Sequence, residues 1–246
     1  MREAFGVLTG LPHEWDHDQI GRGWVWTVAV GVVMGVVWLS VQQVVGRIGG
    51  PFVAAGALLL VHVVVLGARP QRGLAAVAEE LTEEPDPAVA PSRPDTGGAA
   101  AAVVMLVLLM MSGMATFSAD VPALLFIAPL IGRSVQVVLL QGCGEDVGLP
   151  EPSALQHTAI VALTVAALGL APVLNTAVRP VRENAQIQGI EYVVAGLIAL
   201  LVTFVIAIAW RGWLRARFGT VDANAWHSIG AVADLAALLA LVGQIN

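Results

Sequence analysis

The sequence has no lysine, a single cysteine and a single tyrosine, and it is poor in charge of either sign. Charged residues make up 12% of its 246 residues, against the roughly 25% usual in soluble domains. Cys143 stands alone, which excludes a disulfide framework within the chain. The twelve basic residues are all arginine and lie scattered, so the basic run expected of a nucleic-acid binder is missing. No cleavable signal peptide is expected. The first apolar segment begins only after about twenty polar residues and is long enough to stay as a span.

What the chain does have is apolar length: 57% of it is hydrophobic, at a net charge of −6. Several stretches reach the roughly 20 residues that a helix needs to cross a bilayer. Backbone polar groups in lipid must be satisfied within the segment, so these stretches are helices. The sequence predicts an all-α polytopic membrane bundle of about seven transmembrane helices, with residues 1–246 as one integral membrane domain. The spans fall at 24–45, 51–67, 98–117, 121–140, 154–174, 190–210 and 229–242, the last being short for a full crossing. A re-entrant last segment is the alternative. Trp24 and Trp26 suit the headgroup interface. Gly50–Pro51 breaks the chain between the first two spans, and Gly31 and Gly35 form a G-x-x-x-G suited to close helix packing.

Residues 68–97 form the longest polar stretch. Within it, Leu74, Val77 and Leu81 recur at helical spacing, which predicts a short amphipathic helix over 73–84 lying on the membrane surface. Arg2, Arg22, Arg69, Arg72, Arg93, Arg211, Arg215 and Arg217 fall on the N-terminal side of a seven-span topology, against Arg47, Arg179 and Arg182 on the other. That bias places the N-terminus and the 68–97 loop in the cytoplasm of an inner-membrane protein.

Glu79, Glu80, Glu83 and Glu84 make two carboxylate pairs at i,i+4 spacing, which repel unless a cation sits between them. A hard cation such as Mg²⁺ takes a few carboxylates together with phosphate oxygens; the plain alternative is a solvated polar face. Arg133 in the fourth span and Asp234 in the last apolar segment sit at membrane depth, where charges usually face a partner or a polar cavity. Arg133 is close enough to a helix end to snorkel. His13, Glu14 and His17 match the H-E-x-x-H pattern of zinc metalloproteases, with Glu14 as the base. The match follows Pro12, contains Asp16 and has no clear third ligand, so a solvated segment ahead of the membrane is the simpler reading.

The order of these features resembles the adenosylcobinamide-GDP ribazoletransferases, the cobalamin synthases. Thr9, Leu11 and Pro12, then Gly31 and Gly35, follow that family's opening F-x-T-x-L-P and the G-x-x-x-G of its first span. Residues 67–80, GARPQRGLAAVAEE, stand where the family has G-G-x-H-L-D-G-L-A-D-x-x-D-G. Ser92, Arg93, Thr96, Gly97 and Gly98 match a following S-R-x-G-T-x-G, and Ala128, Pro129 and Arg133 an A-P-x-x-x-R. A G-L-G turn becomes Gly148-Leu149-Pro150. The closing G-G-x-T-G-D-x-x-G-A-x-x-E survives as Gly219, Gly230, Ala231 and Asp234 after a longer spacer. The departures concern acids. The three Asp positions of the first signature hold Arg72, Ala76 and Glu79, and the Asp of T-G-D falls at His227 or within the spacer.

The resemblance implies a membrane transferase of cobalamin biosynthesis, with adenosylcobinamide-GDP and α-ribazole or its phosphate as substrates and GMP as leaving group. It further implies Mg²⁺, held by Glu79 with Glu80, Glu83 and Asp234. Arg93 and Arg133 would hold phosphate oxygens. The bilayer and other membrane-associated cobalamin-assembly enzymes are the implied partners. The substituted acids leave a second possibility, a catalytically inactive relative that binds or scaffolds.

Overall fold

The computed structural model describes residues 6–8, 17–82, 96–120, 123–178 and 185–244. No strand occurs among them. The helices are α1 (His17–Gly23), which runs through a 3-10 turn at Trp24–Trp26 into α2 (Thr27–Val65), then α3 (Arg69–Thr82), α4 (Thr96–Asp120), α5 (Leu124–Val138) and α6 (Gly144–Val147), followed by α7 (Ala154–Leu168), α8 (Leu170–Val178), α9 (Ala185–Phe218) and α10 (Ala223–Val242).

α2 has 39 residues, about 58 Å if straight and nearly twice the hydrocarbon thickness. It is not straight. Gly50 sits at φ 75°, ψ −178°, and Pro51 follows. Trp38 and His62 meet with ring centroids 5.2 Å apart, although a continuous helix would hold them about 36 Å apart. The chain therefore doubles back at Gly50, and α2 is two antiparallel passes. Among the described residues, five helical stretches are long and apolar enough to cross a membrane, the first of which contains this hairpin. α5 is a shorter apolar helix of 15 residues beside them.

α5 is the central helix. Every residue from Leu124 to Val137 is buried, and it packs against α2, α10 and α9. The glycine pair explains how α2 comes so close. A β-carbon on Gly31 would stand 2.8 Å from Leu130 Cα, and one on Gly35 would stand 2.5 Å from Phe126 O. The outer helices leave apolar side chains uncovered, as with Leu197, Leu201, Val205 and Ile208 along one side of α9. Such a stripe suits lipid rather than water.

Three sequence expectations change. The last helix is not short: Asp222 accepts a hydrogen bond from Ala225 N–H at 2.8 Å, and α10 runs 20 residues from this cap, about 30 Å. Trp24 is buried and donates to Pro150 O at 2.7 Å instead of facing headgroups. α3 begins at Arg69 rather than at residue 73. It packs against α10 and α4 with Val77 buried, because an apolar helix face serves a neighbouring helix as well as it serves lipid.

Gly35→Val should lower stability by about 1–3 kcal/mol, since the added carbons meet both the backbone and the buried ring of Phe126. Gly56→Ala meets nothing within 4 Å and should be neutral or slightly stabilising. Thermal unfolding of the two variants in detergent checks the contrast.

Candidate functional site at the polar end of the bundle

Four connecting segments meet at one end of the bundle. Gln156 Nε2 donates to Gly21 O at 2.6 Å, and Arg69 Nη1 donates to Val7 O at 2.8 Å and Gly6 O at 3.3 Å. Arg211 donates to Gln141 O, and Arg215 Nη2 to Gly142 O at 3.1 Å. The 139–153 turn is fastened by Glu151, whose carboxylate accepts from Gly144 N–H at 3.0 Å. Backbone N–H groups of Gly142 and Gly144 hold that carboxyl below its ordinary range. Arg22, Arg69, Arg72, Arg211, Arg215 and Arg217 thus gather at this end, while Arg47 lies near the Gly50 hairpin at the other.

A cavity of about 360 Å³ opens here, with Ile20, Arg69, Gly148, Leu149, Trp226 and His227 in its wall. Burial first, and the Arg72 guanidinium second, pull Arg69 below the ordinary arginine value. Beside the cavity, α3 crosses α10 at close range. A β-carbon on Gly73 would stand 2.5 Å from Asn224 O and 2.7 Å from His227 Cβ. Arg72 is exposed and donates to Gly67 O at 2.6 Å.

Behind the cavity lies a buried polar cluster. Arg133 on α5 pairs with the Asp234 carboxylate on α10, and both side chains are 1% exposed. Arg133 Nη1 also donates to Gln136 Oε1 at 2.8 Å, and Nη2 to Gly230 O at 3.3 Å. His62 Nε2 stands 3.6 Å from the same carboxylate. Trp226 Nε1 donates to Gln136 O at 3.1 Å. Trp226 thus forms the cavity wall on one side and anchors to the cluster on the other. Gly132 lets Asp234 in, because a β-carbon there would collide with the carboxylate.

Residues 1–244 match the cobalamin-5-phosphate synthase family. The chain belongs to that family. No curated protein and no solved structure matches it. Membership together with the apolar helices makes this a multi-pass membrane protein of the cobalamin synthase type.

Set against the family's expected ligands, the structure brings Arg133 and Asp234 together but joins them to each other. Arg133 does not snorkel, because its charge has a partner inside the bundle. Glu79 is half-buried and Glu80 exposed on α3. Glu83, Glu84, Arg93, His13 and Glu14 lie outside the described residues. Among the described residues no three His, Cys, Asp or Glu side chains cluster as a metal site. With Asp234 held by a guanidinium and Arg72 and Ala76 at acid positions, the described donors do not fit a resident Mg²⁺. Sequence reasoning gave no role to Arg69, His62, Gln136 or Trp226. A lone histidine in an apolar span was the one available signal, and it pointed to His62.

Arg133→Met or Asp234→Asn alone should cost about 3–5 kcal/mol, because each strands a buried charge, while the double variant should recover much of that loss. Chemical unfolding of the three variants in detergent gives the coupling. Equal losses in the singles and the double would refute it.

Proposed function

We propose that this cobalamin synthase relative joins α-ribazole, or its 5′-phosphate, to adenosylcobinamide-GDP and releases GMP. The observation that carries the reading is the meeting of two distant segments. Residues 67–80 and 219–234, which align with the family's first and closing signatures, pack together at Gly73, Asn224 and His227. They do so beside a cavity of about 360 Å³ at the polar end of a membrane bundle.

In the proposed step a ribose hydroxyl that is free in both α-ribazole and its 5′-phosphate attacks the phosphorus attached to cobinamide and gives up its proton. The phosphorus–oxygen bond to GMP breaks, and GMP leaves with the bonding electron pair. Positioning the reacting groups is the bundle's main contribution, since phosphoryl transfer gains chiefly from alignment and charge stabilisation. A cavity of this size has room for a phosphate-bearing end, with the corrin ring outside it. The arginine-rich end faces the cytoplasm in this reading, by the same arginine bias that orients inner-membrane proteins.

A second reading is a relative that binds such substrates without transferring. Arg72 and Ala76 at acid positions favour it. One experiment separates the two. A strain lacking the last cobalamin-assembly transferase, given cobinamide as its only corrinoid source, should grow when supplied with this chain. Purified protein should release GMP from adenosylcobinamide-GDP only when α-ribazole or its phosphate is present. Substrate binding without GMP release would replace the transferase with the binding relative.

A further inference from the structure

We propose that the cavity walled by Arg69 and His227 is a metal-independent anion site, built to take the phosphoryl oxygens of a diphosphate. The identity of the ligand rests on the transferase reading; the anion site itself does not.

Among the described residues of the cavity wall the fixed charge is that of Arg69. Arg69 and His227 are its titratable lining groups, and no Asp or Glu is among the described residues of its wall. Arg69, Arg133 and Arg72 all act electrostatically on His227, and Arg72 acts on Arg69. Arg69 lines the concavity, Arg72 stands near it, exposed and bonded to Gly67 O, and the charge of Arg133 behind it is met by Asp234. Ala223, the first residue of α10, also lines it, at a helix end whose positive partial charge is offset in part by the Asp222 cap. The nearby acids are otherwise placed. Asp222 caps α10 through Ala225 N–H, and Glu145 and Asp146 sit on α6 ahead of Val147, outside the wall.

A divalent cation brought here would meet repulsion where it needs carboxylate oxygens. An anion meets the opposite. The guanidinium fork matches phosphate geometry and keeps its charge at any working pH. The partly apolar wall of Ile20, Leu149 and Trp226 lowers the local dielectric, which strengthens each charge-assisted hydrogen bond. Arg69 is also held in place, since Val7 O and Gly6 O accept from its Nη1. The mismatch with Mg²⁺ and the gathering of arginines thus have one explanation: fixed cationic side chains neutralise the phosphates in place of a metal.

Phosphate oxygens reach a membrane protein from two sources, a soluble diphosphate or a lipid headgroup, and calorimetry on the full chain in nanodiscs tells them apart. Inorganic pyrophosphate should bind in phosphatidylcholine nanodiscs containing EDTA, and added Mg²⁺ should not tighten it. Arg69→Gln should weaken binding about tenfold or more, while Arg69→Lys keeps part of it. Arg72→Asp should weaken metal-free binding as well. It carries the test if Arg69→Gln fails to insert, because Arg72 is exposed. Arg47→Gln, at the other end, should change nothing. Binding that requires Mg²⁺, or that ignores both Arg69 and Arg72, overturns the proposal. Retention in phosphatidylglycerol nanodiscs supports a soluble diphosphate. Loss there assigns the pocket to headgroup phosphate and overturns the diphosphate. Pyrophosphate binding without GMP release would sink the transferase reading and leave the anion site standing.

Discussion

Arg133 and Asp234 meet inside a bundle that offers neither of them water. A buried charge left alone costs several kcal/mol even after relaxation, and in a membrane it has no solvent to retreat to. Each residue therefore requires the other, and the helices that carry them, α5 and α10, are bound to one register. The close approach depends on glycine on both sides. Gly132 clears the path for the carboxylate, and Gly230 leaves room for Gln136 while offering its carbonyl to Arg133. The pair then fixes its neighbours. His62 approaches the carboxylate and stacks edge-on against Trp38, which ties both halves of the α2 hairpin to the same point. Gln136 and Trp226 carry the connection outward to the cavity wall.

The passes were legible in the sequence because lipid imposes one requirement that hydropathy reports directly, and the Gly50–Pro51 reversal was legible because those residues punctuate helices. The partners of the passes were not. The G-x-x-x-G of Gly31 and Gly35 announced a close contact without naming α5 as its other side. The last helix looked short because Ala223 to Ser228 read as a polar loop. Several of those polar groups are satisfied within the bundle, Ser228 by Trp210 Nε1 at 3.0 Å and the Trp226 ring by Gln136 O. The amphipathic period of α3 was correct, and the neighbouring helices that take its apolar face were not legible, since a period states that a face is covered and leaves the cover unnamed.

The charged residues follow the same rule. Arg133 read alone sits near enough to a helix end to snorkel. Its actual partner lies 101 residues away, beyond the reach of any local pattern. The glutamates of α3 were conspicuous through their spacing, and spacing along one helix cannot tell a ligand pair from a solvated face. Arg69 drew no attention because a single arginine after a span is ordinary. Only the fold brings it to the wall that holds His227.

Scaffold and mouth therefore obey different constraints. The Arg133–Asp234 pair must be kept whole, because altering one member strands the other in lipid-facing protein. Residues around the cavity carry no such penalty: Arg72 is exposed, and Arg69 leans on backbone carbonyls that would accept from other donors. Acids at such positions can give way to bases without disturbing a helix register. The family model covers residues 1–244 of this chain, and Arg72 and Ala76 stand where the resemblance implies acids. A phosphate-handling site tolerates such replacement better than most, since its task is to offset negative charge, and a fixed guanidinium does so with no metal to recruit.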